Sequence, residues 1–224
     1  KFKLFVMLLC HMRSSFSMPL LYHAYVYLEF LILACTIYIL APDKPNKKWL
    51  TDVSEFKYYR GNEVHKVYLS AILDLYDRRI VTFKISDHND NPLVMDTFDE
   101  AVNLEPDAHP LFHSDRGFQY TSTQFYTRLK KHHMKQSMSR VSHCIDNGPM
   151  EGFWGILKRE MYYCQHFSDR DTLVAAITNY INYYNNLRLQ RKLNIMTPME
   201  YHNQYIKVAS SDCMPGMQPS TKLF

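Results

Sequence analysis

Hydrophobic and polar positions divide the chain from residue 48 onward into strand-like and helix-like segments. Residues 48–58 alternate between apolar and polar side chains, residues 64–75 are apolar and β-branched, and residues 79–86 form a third run of this kind. Alternation with a period of two predicts half-buried strands. The short polar turn between the second and third runs favours an antiparallel meander of three adjacent strands.

After this strand series, apolar side chains recur three and four positions apart, which predicts helices. The predicted elements in order are helix 91–103, strand 110–113, helix 121–133, strand 136–139, a helix beginning at Pro149 and helix 169–186. Strands first, followed by helices alternating with short strands, predict an α/β layered domain.

A long apolar segment precedes this pattern. Residues 20–41 are nearly all apolar and are numerous enough to span a bilayer as a helix. Three interpretations stay open. The segment is a leader without a role in the fold, read through from an upstream frame; or it packs on the protein; or, least favoured, it anchors the chain in a membrane.

Polar and proline-bearing residues 42–48 mark a boundary between this segment and the rest of the chain. We therefore predict an apolar leader of residues 1–41 and a folded core of residues 42–205. The remaining residues, 206–224, contain two prolines and a glycine and are predicted to form a loose tail.

The composition narrows the class of protein. Of the 224 residues, 46% are hydrophobic and 21% are charged, which excludes disorder throughout the chain. The net charge of +4 mildly favours an anionic partner without identifying nucleic acid. The 5 cysteines are scattered and form no CxxC pair, so neither a disulfide framework nor a cysteine zinc site is predicted. A reducing cytoplasm fits this pattern.

Three acidic residues are candidates for catalysis. Asp52 lies in the first strand-like run, Asp115 follows the short strand 110–113, and Glu151 lies in the first turn after Pro149. Carboxylates suit Mg²⁺ or Mn²⁺, and two such ions can activate a nucleophile and stabilise a leaving oxygen in phosphoryl transfer. Taken singly, each acid is equally explained as an exposed charge, a turn cap or a favourable charge at a helix N-terminus.

Basic residues near these acids are candidates for binding DNA phosphate. Lys158 lies seven residues after Glu151 and hence on nearly the same helix face, while Arg159 projects from a neighbouring face. Trp154, on the same helix, is predicted to be a core residue. Arg116 follows Asp115 directly, where contact with DNA and stabilisation of the turn are equally favoured.

Three further arginines are weaker candidates for contact with DNA. Arg140 begins a polar loop and is predicted to contact a DNA strand. Arg188 and Arg191 belong to a basic stretch after helix 169–186, for which phosphate binding and a solvated surface both stay open.

The motifs around these residues, taken in order, resemble the catalytic core of insertion-sequence transposases of the OrfB class, which are similar to retroviral integrases. They are K-W-L-T-D-V-S-E-F, H-S-D-R-G-x-Q-Y, S-M-S-R-x-x-x-C-x-D-N-x-x-M-E-x-F-W-x-x-L-K-x-E, Y-I-x-Y-Y-N-x-x-R-x-Q-x-K-L and T-P-x-E-Y. The resemblance covers about residues 43–204. The 62 residues between Asp52 and Asp115 and the 35 between Asp115 and Glu151 also fit the family's pattern.

The resemblance implies an RNase H-like fold with a mixed five-stranded sheet flanked by helices. It implies that Asp52, Asp115 and Glu151 form a DDE triad that holds two Mg²⁺ or Mn²⁺ ions, and that Lys158 takes the place of the family's DNA-contacting basic residue. The implied activity is metal-dependent hydrolysis of phosphodiesters followed by DNA strand transfer. Alternatives are a nuclease of the RNase H type and an inactive DNA-binding relic.

The resemblance also implies partners. A homo-oligomer is expected to bridge DNA ends and target in the cytoplasm. Family members use an upstream helix-turn-helix region or protein to recognise element ends, and the sequence shows no such pattern. A truncated or decayed copy, or a fragment of a fused product, is therefore expected.

Overall fold

The computed structural model describes residues 42–139 and 147–212, which form a five-stranded sheet with helices packed on both faces. The predicted leader of residues 1–41 lies outside the described residues. Within the described ranges, no helix combines the length and the hydrophobicity that crossing a membrane requires.

The strands and helices closely follow the predicted pattern. They are β1 (Lys48–Arg60), β2 (Glu63–Asp74), β3 (Ile80–Ser86), α1 (Asn91–Leu104), β4 (Leu111–Ser114), α2 (Thr123–Lys131), β5 (Lys135–Met138), α3 (Gly148–Leu157), α4 (Arg170–Asn186) and α5 (Pro198–Asp212). A π-helical turn, Lys158–Tyr162, continues α3, and a 3₁₀ turn, Arg191–Leu193, lies between α4 and α5.

The sheet is mixed, as predicted, with the strand order β3-β2-β1-β4-β5. Strands β1, β2 and β3 form the predicted antiparallel meander, whereas β4 pairs in parallel with β1 and with β5. Gly61 has a φ of 60° in the two-residue turn between β1 and β2. A tight hairpin requires positive φ at this position, which glycine adopts without steric cost.

The side chains of β1 alternate between two separate hydrophobic cores, one on each face of the sheet. Leu50 and Phe56 pack under α3 and α4, whereas Trp49 faces the opposite side of the sheet. Trp49 packs in the core between the sheet and helices α1 and α2. In this core, Phe98 of α1 contacts the rings of Phe112 and Phe125 edge-on. Successive side chains of a strand point to opposite faces, so this one strand anchors both helical layers.

Three predicted helix starts are stabilised by side-chain caps. Asp90, Ser122 and Asp169 each accept a hydrogen bond from the backbone N–H three residues later. These bonds satisfy backbone donors that the first helical turn leaves without partners. The caps set where α1, α2 and α4 begin.

The predicted loose tail from residue 206 is wrong for its first seven residues, because α5 continues to Asp212. The helix begins with a capping box in which Glu200 accepts from the Thr197 N–H and Thr197 accepts from the Glu200 N–H. Tyr201 and Tyr205 then pack on Tyr76 in the turn after β2. This packing gives the helix a buried face that composition did not reveal.

Candidate active site

The predicted acids lie at a fork between two central strands. Strands β1 and β4 pair only over Lys48–Leu50, and the last pair joins Leu50 to His113. Asp52 and Asp115 each lie two residues beyond this last pair. Because strand side chains repeat every second residue, Asp52 projects to the same face as Leu50, beneath α3.

Both oxygens of the half-buried Asp52 carboxylate accept hydrogen bonds. Oδ1 accepts from the Val53 N–H at 2.8 Å, and Oδ2 accepts from the Trp154 indole N–H at 3.0 Å. The pKa of Asp52 is raised to about 6, mainly by burial and to a smaller extent by the charges of Asp115 and Glu151, while the two hydrogen bonds act to lower it. The three predicted acids therefore share one electrostatic field.

Trp154 is the residue whose role the sequence did not reveal. It was predicted as core, and it does pack in the hydrophobic layer under α3, where it is 7% exposed. In addition, its indole ties α3 to the Asp52 carboxylate. Glu151 lies three residues earlier and is exposed, so it occupies the neighbouring position on the same helix surface. The bond from Trp154 thus holds the Glu151 turn beside Asp52.

Asp115 is exposed in a tight turn directly after β4. Its Oδ1 accepts a hydrogen bond from the Gly117 N–H at 2.9 Å. A Cβ added at Gly117 would lie 3.1 Å from the same oxygen, so a larger residue there would crowd the carboxylate. The glycine in the H-S-D-R-G segment allows the backbone to approach the acid closely.

Lys158 lies at the junction between α3 and the π-helical turn. Its ammonium is 5.2 Å from the centre of the Phe56 ring. Burial lowers the pKa of Lys158, and the negative charges of Asp52 and Glu55 oppose that shift. Lys158 therefore brings a partly desolvated positive charge within the electrostatic influence of Asp52.

Asp52, Asp115 and Glu151 interact electrostatically, but their carboxylates are not arranged as a set of metal ligands. Among the described residues, no group of three or more His, Cys, Asp or Glu side chains is arranged to hold a metal ion. Asp115 and Glu151 are both exposed, whereas Asp52 is held by hydrogen bonds at the base of the fork. The donor set is made entirely of carboxylate oxygens, which are the ligands that Mg²⁺ and Mn²⁺ prefer.

Comparison with known proteins agrees with this geometry. Residues 42–144 match the family described as integrase core domain, and residues 151–206 match a second family of the same description. A transposase-like protein of Haemophilus influenzae is 37% identical over 161 residues, which cover 72% of this chain and 73% of the relative. The chain belongs to the insertion-sequence transposases with an integrase core.

A second relative extends this assignment. The putative transposase InsK for insertion sequence element IS150 of Escherichia coli is 41% identical over 162 residues, which cover 72% of this chain. The match covers 56% of that relative, so this transposase chain spans about half the relative's length.

Solved structures show the same fold for the transposase core. The catalytic core domain of HTLV-2 integrase, solved in complex with magnesium, aligns with a TM-score of 0.55 and 21% identity over 71% of this chain and 98% of that one. The integrase in a simian T-cell lymphotropic virus intasome aligns with a TM-score of 0.60 and 19% identity, over 81% of this chain and 59% of that one. The predicted RNase H-like fold is confirmed.

His113 and Arg116 connect the Asp115 turn of the transposase to β5. The His113 ring lies 3.0 Å from the Ser137 hydroxyl through Nδ1 and 3.3 Å from the Ser139 hydroxyl through Nε2. Arg116 donates from Nε to the Ser139 carbonyl at 3.0 Å. This contact supports the turn-stabilising alternative for Arg116, whose side chain is nevertheless exposed.

The remaining predicted arginines differ in their surroundings. Arg188 donates from two guanidinium nitrogens to Glu160, the shortest contact being 2.6 Å, and this bonding raises the Arg188 pKa. The Arg188 guanidinium is thus already paired within the transposase itself. Arg159 and Arg191 are exposed, and Arg140 lies outside the described residues.

We expect a Trp154→Phe variant to raise the pKa of Asp52 above about 6. The indole N–H favours the ionised carboxylate, so its loss makes the protonated form more stable. Carboxyl ¹³C NMR titration of the metal-free transposase would measure the shift. Tyr162→Phe is the matched control, because the Tyr162 hydroxyl bonds Lys57 instead. An unchanged or lowered Asp52 pKa in Trp154→Phe would contradict the expectation.

Proposed function

We propose that this transposase core cuts DNA phosphodiesters and joins DNA strands, with Asp52, Asp115 and Glu151 as the catalytic and metal-holding residues. The observation that supports this most directly is the shared field of the three acids at the β1–β4 fork. A carboxylate whose pKa is raised by burial and by two like charges is typical of functional sites.

The residues present fit a divalent cation, Mg²⁺ or Mn²⁺, in two copies as the family resemblance implies. Burial and the charges of Asp115 and Glu151 make the ionised form of Asp52 costly, and a cation beside Asp52 would offset that cost. The HTLV-2 integrase core was solved with magnesium, which is a property of that protein. When bound, such ions lower the pKa of a nucleophilic hydroxyl or water and stabilise the leaving oxygen.

Each residue then has a distinct role in the proposed reaction. Asp52 offers a carboxylate fixed in orientation by Val53 and Trp154, and Asp115 offers one from a turn tightened by Gly117. Glu151 is exposed on the first turn of α3 and can approach from the solvent side. Water would first attack a phosphodiester at the element's end, breaking its P–O3′ bond to leave a 3′ hydroxyl and a 5′ phosphate. That 3′ hydroxyl would then attack a phosphodiester of the target DNA, forming a new P–O bond while the target's own 3′ oxygen leaves and takes up a proton.

Basic residues would hold the DNA in this scheme. Lys158 would neutralise a phosphate next to the acids, and Arg159 and Arg191 would contribute from exposed positions. Arg188 is a weaker candidate, because contact with phosphate would compete with Glu160. Arg116 would act mainly on the Asp115 turn, and Arg140 stays a prediction.

The domain organisation and the partners stay proposals. Residues 42–205 would form the catalytic part, with α5 extending it to residue 212. A homo-oligomer would bring two DNA ends to a target in the cytoplasm. A separate helix-turn-helix region or protein would recognise the ends.

A strand-transfer assay tests the proposed function. The full chain would be incubated with Mn²⁺, labelled duplexes with randomised ends and a plasmid target. Joined strands are expected. Cut but unjoined strands would favour the nuclease alternative, and unchanged DNA would favour the inactive relic.

We expect Asp115→Asn to abolish the Mn²⁺ binding that calorimetry detects in the unaltered chain. Asparagine keeps the shape of the side chain but removes the charge that attracts the cation. Asp96→Asn is the matched control, since Asp96 is an exposed acid on α1. Equal Mn²⁺ binding by the unaltered chain and Asp115→Asn would contradict the role of Asp115.

A further inference from the structure

A cavity of about 490 Å³ lies along β1 and is lined in part by Lys158. We call it the aromatic pocket. Its lining includes Lys57, Tyr59, Lys158, Tyr162, Tyr163 and His166. Ligand pockets commonly measure about 300–1,000 Å³, so a single nucleotide falls within its capacity. Lys158 belongs both to the aromatic pocket and to the field of the catalytic acids.

The aromatic pocket lies along the part of the β1 edge that β4 leaves unpaired, and hydrogen bonds to this edge hold its walls. Beyond Leu50, β1 no longer pairs with β4. The Tyr162 hydroxyl accepts from the Lys57 N–H at 2.9 Å and donates to the Lys57 carbonyl at 3.0 Å. The Tyr59 N–H donates to the Phe167 carbonyl at 2.9 Å. These bonds replace a neighbouring strand and fix the lining residues on both sides.

The charge of the aromatic pocket suits an anion. Glu55 also lines the pocket, but the Lys66 ammonium of β2 lies 3.0 Å from the Glu55 carboxylate and neutralises its negative charge. Lys57 is 3.9 Å from Glu55, at the limit of an ion pair. Among the ion pairs within residues 42–139 and 147–212, none includes Lys158. Lys57 and Lys158 therefore leave a net positive charge for a phosphate.

Aromatic rings in the same cavity suit a nucleobase. The Tyr59 and His166 rings stack with centroids 4.9 Å apart and an interplanar angle of 18°. Tyr162 stacks in the same way on Phe167, with an angle of 6°. Tyr163 also lines the cavity and is 69% exposed, so most of its ring is accessible to a ligand. Aromatic faces next to cationic groups are the combination that binds unpaired bases without sequence preference.

On the basis of the proposed strand transfer, we propose that the aromatic pocket binds one unpaired nucleotide of the DNA strand that is held at the acids. Lys57 and Lys158 contact its phosphate, and its base stacks on Tyr163. Because Lys158 joins the two sites, the nucleotide is a near neighbour of the reacting phosphodiester. The substrate of the aromatic pocket is thus a DNA end whose strands have separated.

Fluorescence anisotropy of the full chain in a chelating buffer tests this without catalysis. Three labelled duplexes would be compared: blunt, with a short single-stranded overhang, and with the same overhang lacking bases. The overhang duplex is expected to bind about tenfold more tightly than the other two, the order of one stacked base. Equal binding of the overhangs with and without bases would overturn the proposed stacking.

Tyr163→Ala is expected to remove this preference, and Tyr126→Ala is the matched control. Tyr126 is 56% exposed on α2, so both variants lose an exposed ring and both are expected to fold. An unchanged preference in Tyr163→Ala would refute the aromatic pocket. If the unaltered chain joins strands, that result leaves the proposed function intact. If it joins none while Tyr163→Ala loses the preference, the pocket stands and the proposed function fails.

Discussion

A Glu151→Gln chain is expected to lose DNA strand joining by about a thousandfold or more. Glutamine keeps the length and shape of glutamate but offers a neutral amide in place of a charged metal ligand. Losing a ligand removes several kcal/mol of transition-state stabilisation, and each 1.36 kcal/mol is worth about tenfold in rate. The exposed position of Glu151 on α3 means that the substitution leaves the fold intact.

The measurement compares joined products on a denaturing gel, with Mn²⁺ and identical amounts of each chain. Glu63→Gln is the control, because Glu63 is an exposed glutamate at the start of β2 whose side chain is 80% accessible. Thermal unfolding of both variants would show that each is folded. Strand joining by Glu151→Gln at the rate of the unaltered chain would refute the triad assignment.

Much of the fold was predictable because its determinants are local. The alternation of Trp49 and Leu50 specifies the two faces of β1, and Pro149 marks the start of α3 within one residue. Local pattern also singled out Asp52 and Asp115 as acids in or directly after strand-like runs, and both lie just beyond the β1–β4 pairing, whereas their grouping with Glu151 as a triad is what the family resemblance implies. Sequence periodicity and motif spacing carry this information without any knowledge of distant contacts.

The contacts that the sequence did not reveal join residues far apart in the chain. Trp154 bonds Asp52 across 102 positions, and a tryptophan on an apolar helix face has no local feature that distinguishes a donor from a core residue. Arg188 was an open candidate for phosphate, yet Glu160 occupies its guanidinium from 28 positions away. For α5 a local signal did exist, because the T-P-M-E segment is a capping box.

The turn after β2 carries a second contact of this kind. Asp77 is fully buried, and its Oδ2 lies 2.7 Å from His202 Nδ1 of α5 and 3.3 Å from Arg79 Nε. The Arg79 Nε contact lacks hydrogen-bond alignment, but the Arg79 backbone N–H donates to Asp77 Oδ1 at 3.0 Å. Arg79 also pairs with Glu105 at 2.6 Å. Asp77 therefore joins the sheet, the turn and the last helix.

We expect Asp77→Ala to lower the free energy of unfolding by about 3–5 kcal/mol, the usual cost of breaking a buried ion pair. Arg79 would keep Glu105 but lose its fully buried acid, and His202 would lose its acceptor in a buried setting. Because domains are stable by only about 5–15 kcal/mol, this is a large share of the total. Urea denaturation followed by circular dichroism would measure the loss.

Asp107→Ala is the control for this second prediction, since Asp107 is exposed after α1 and its loss should change stability by less than about 0.5 kcal/mol. If Asp77→Ala does not fold, His202→Ala supplies a milder test. It removes one hydrogen bond to a buried charge, with an expected loss of about 1.5–3 kcal/mol. Stability within 0.5 kcal/mol of the unaltered chain in both variants would show that the contact between Asp77 and His202 does not hold α5.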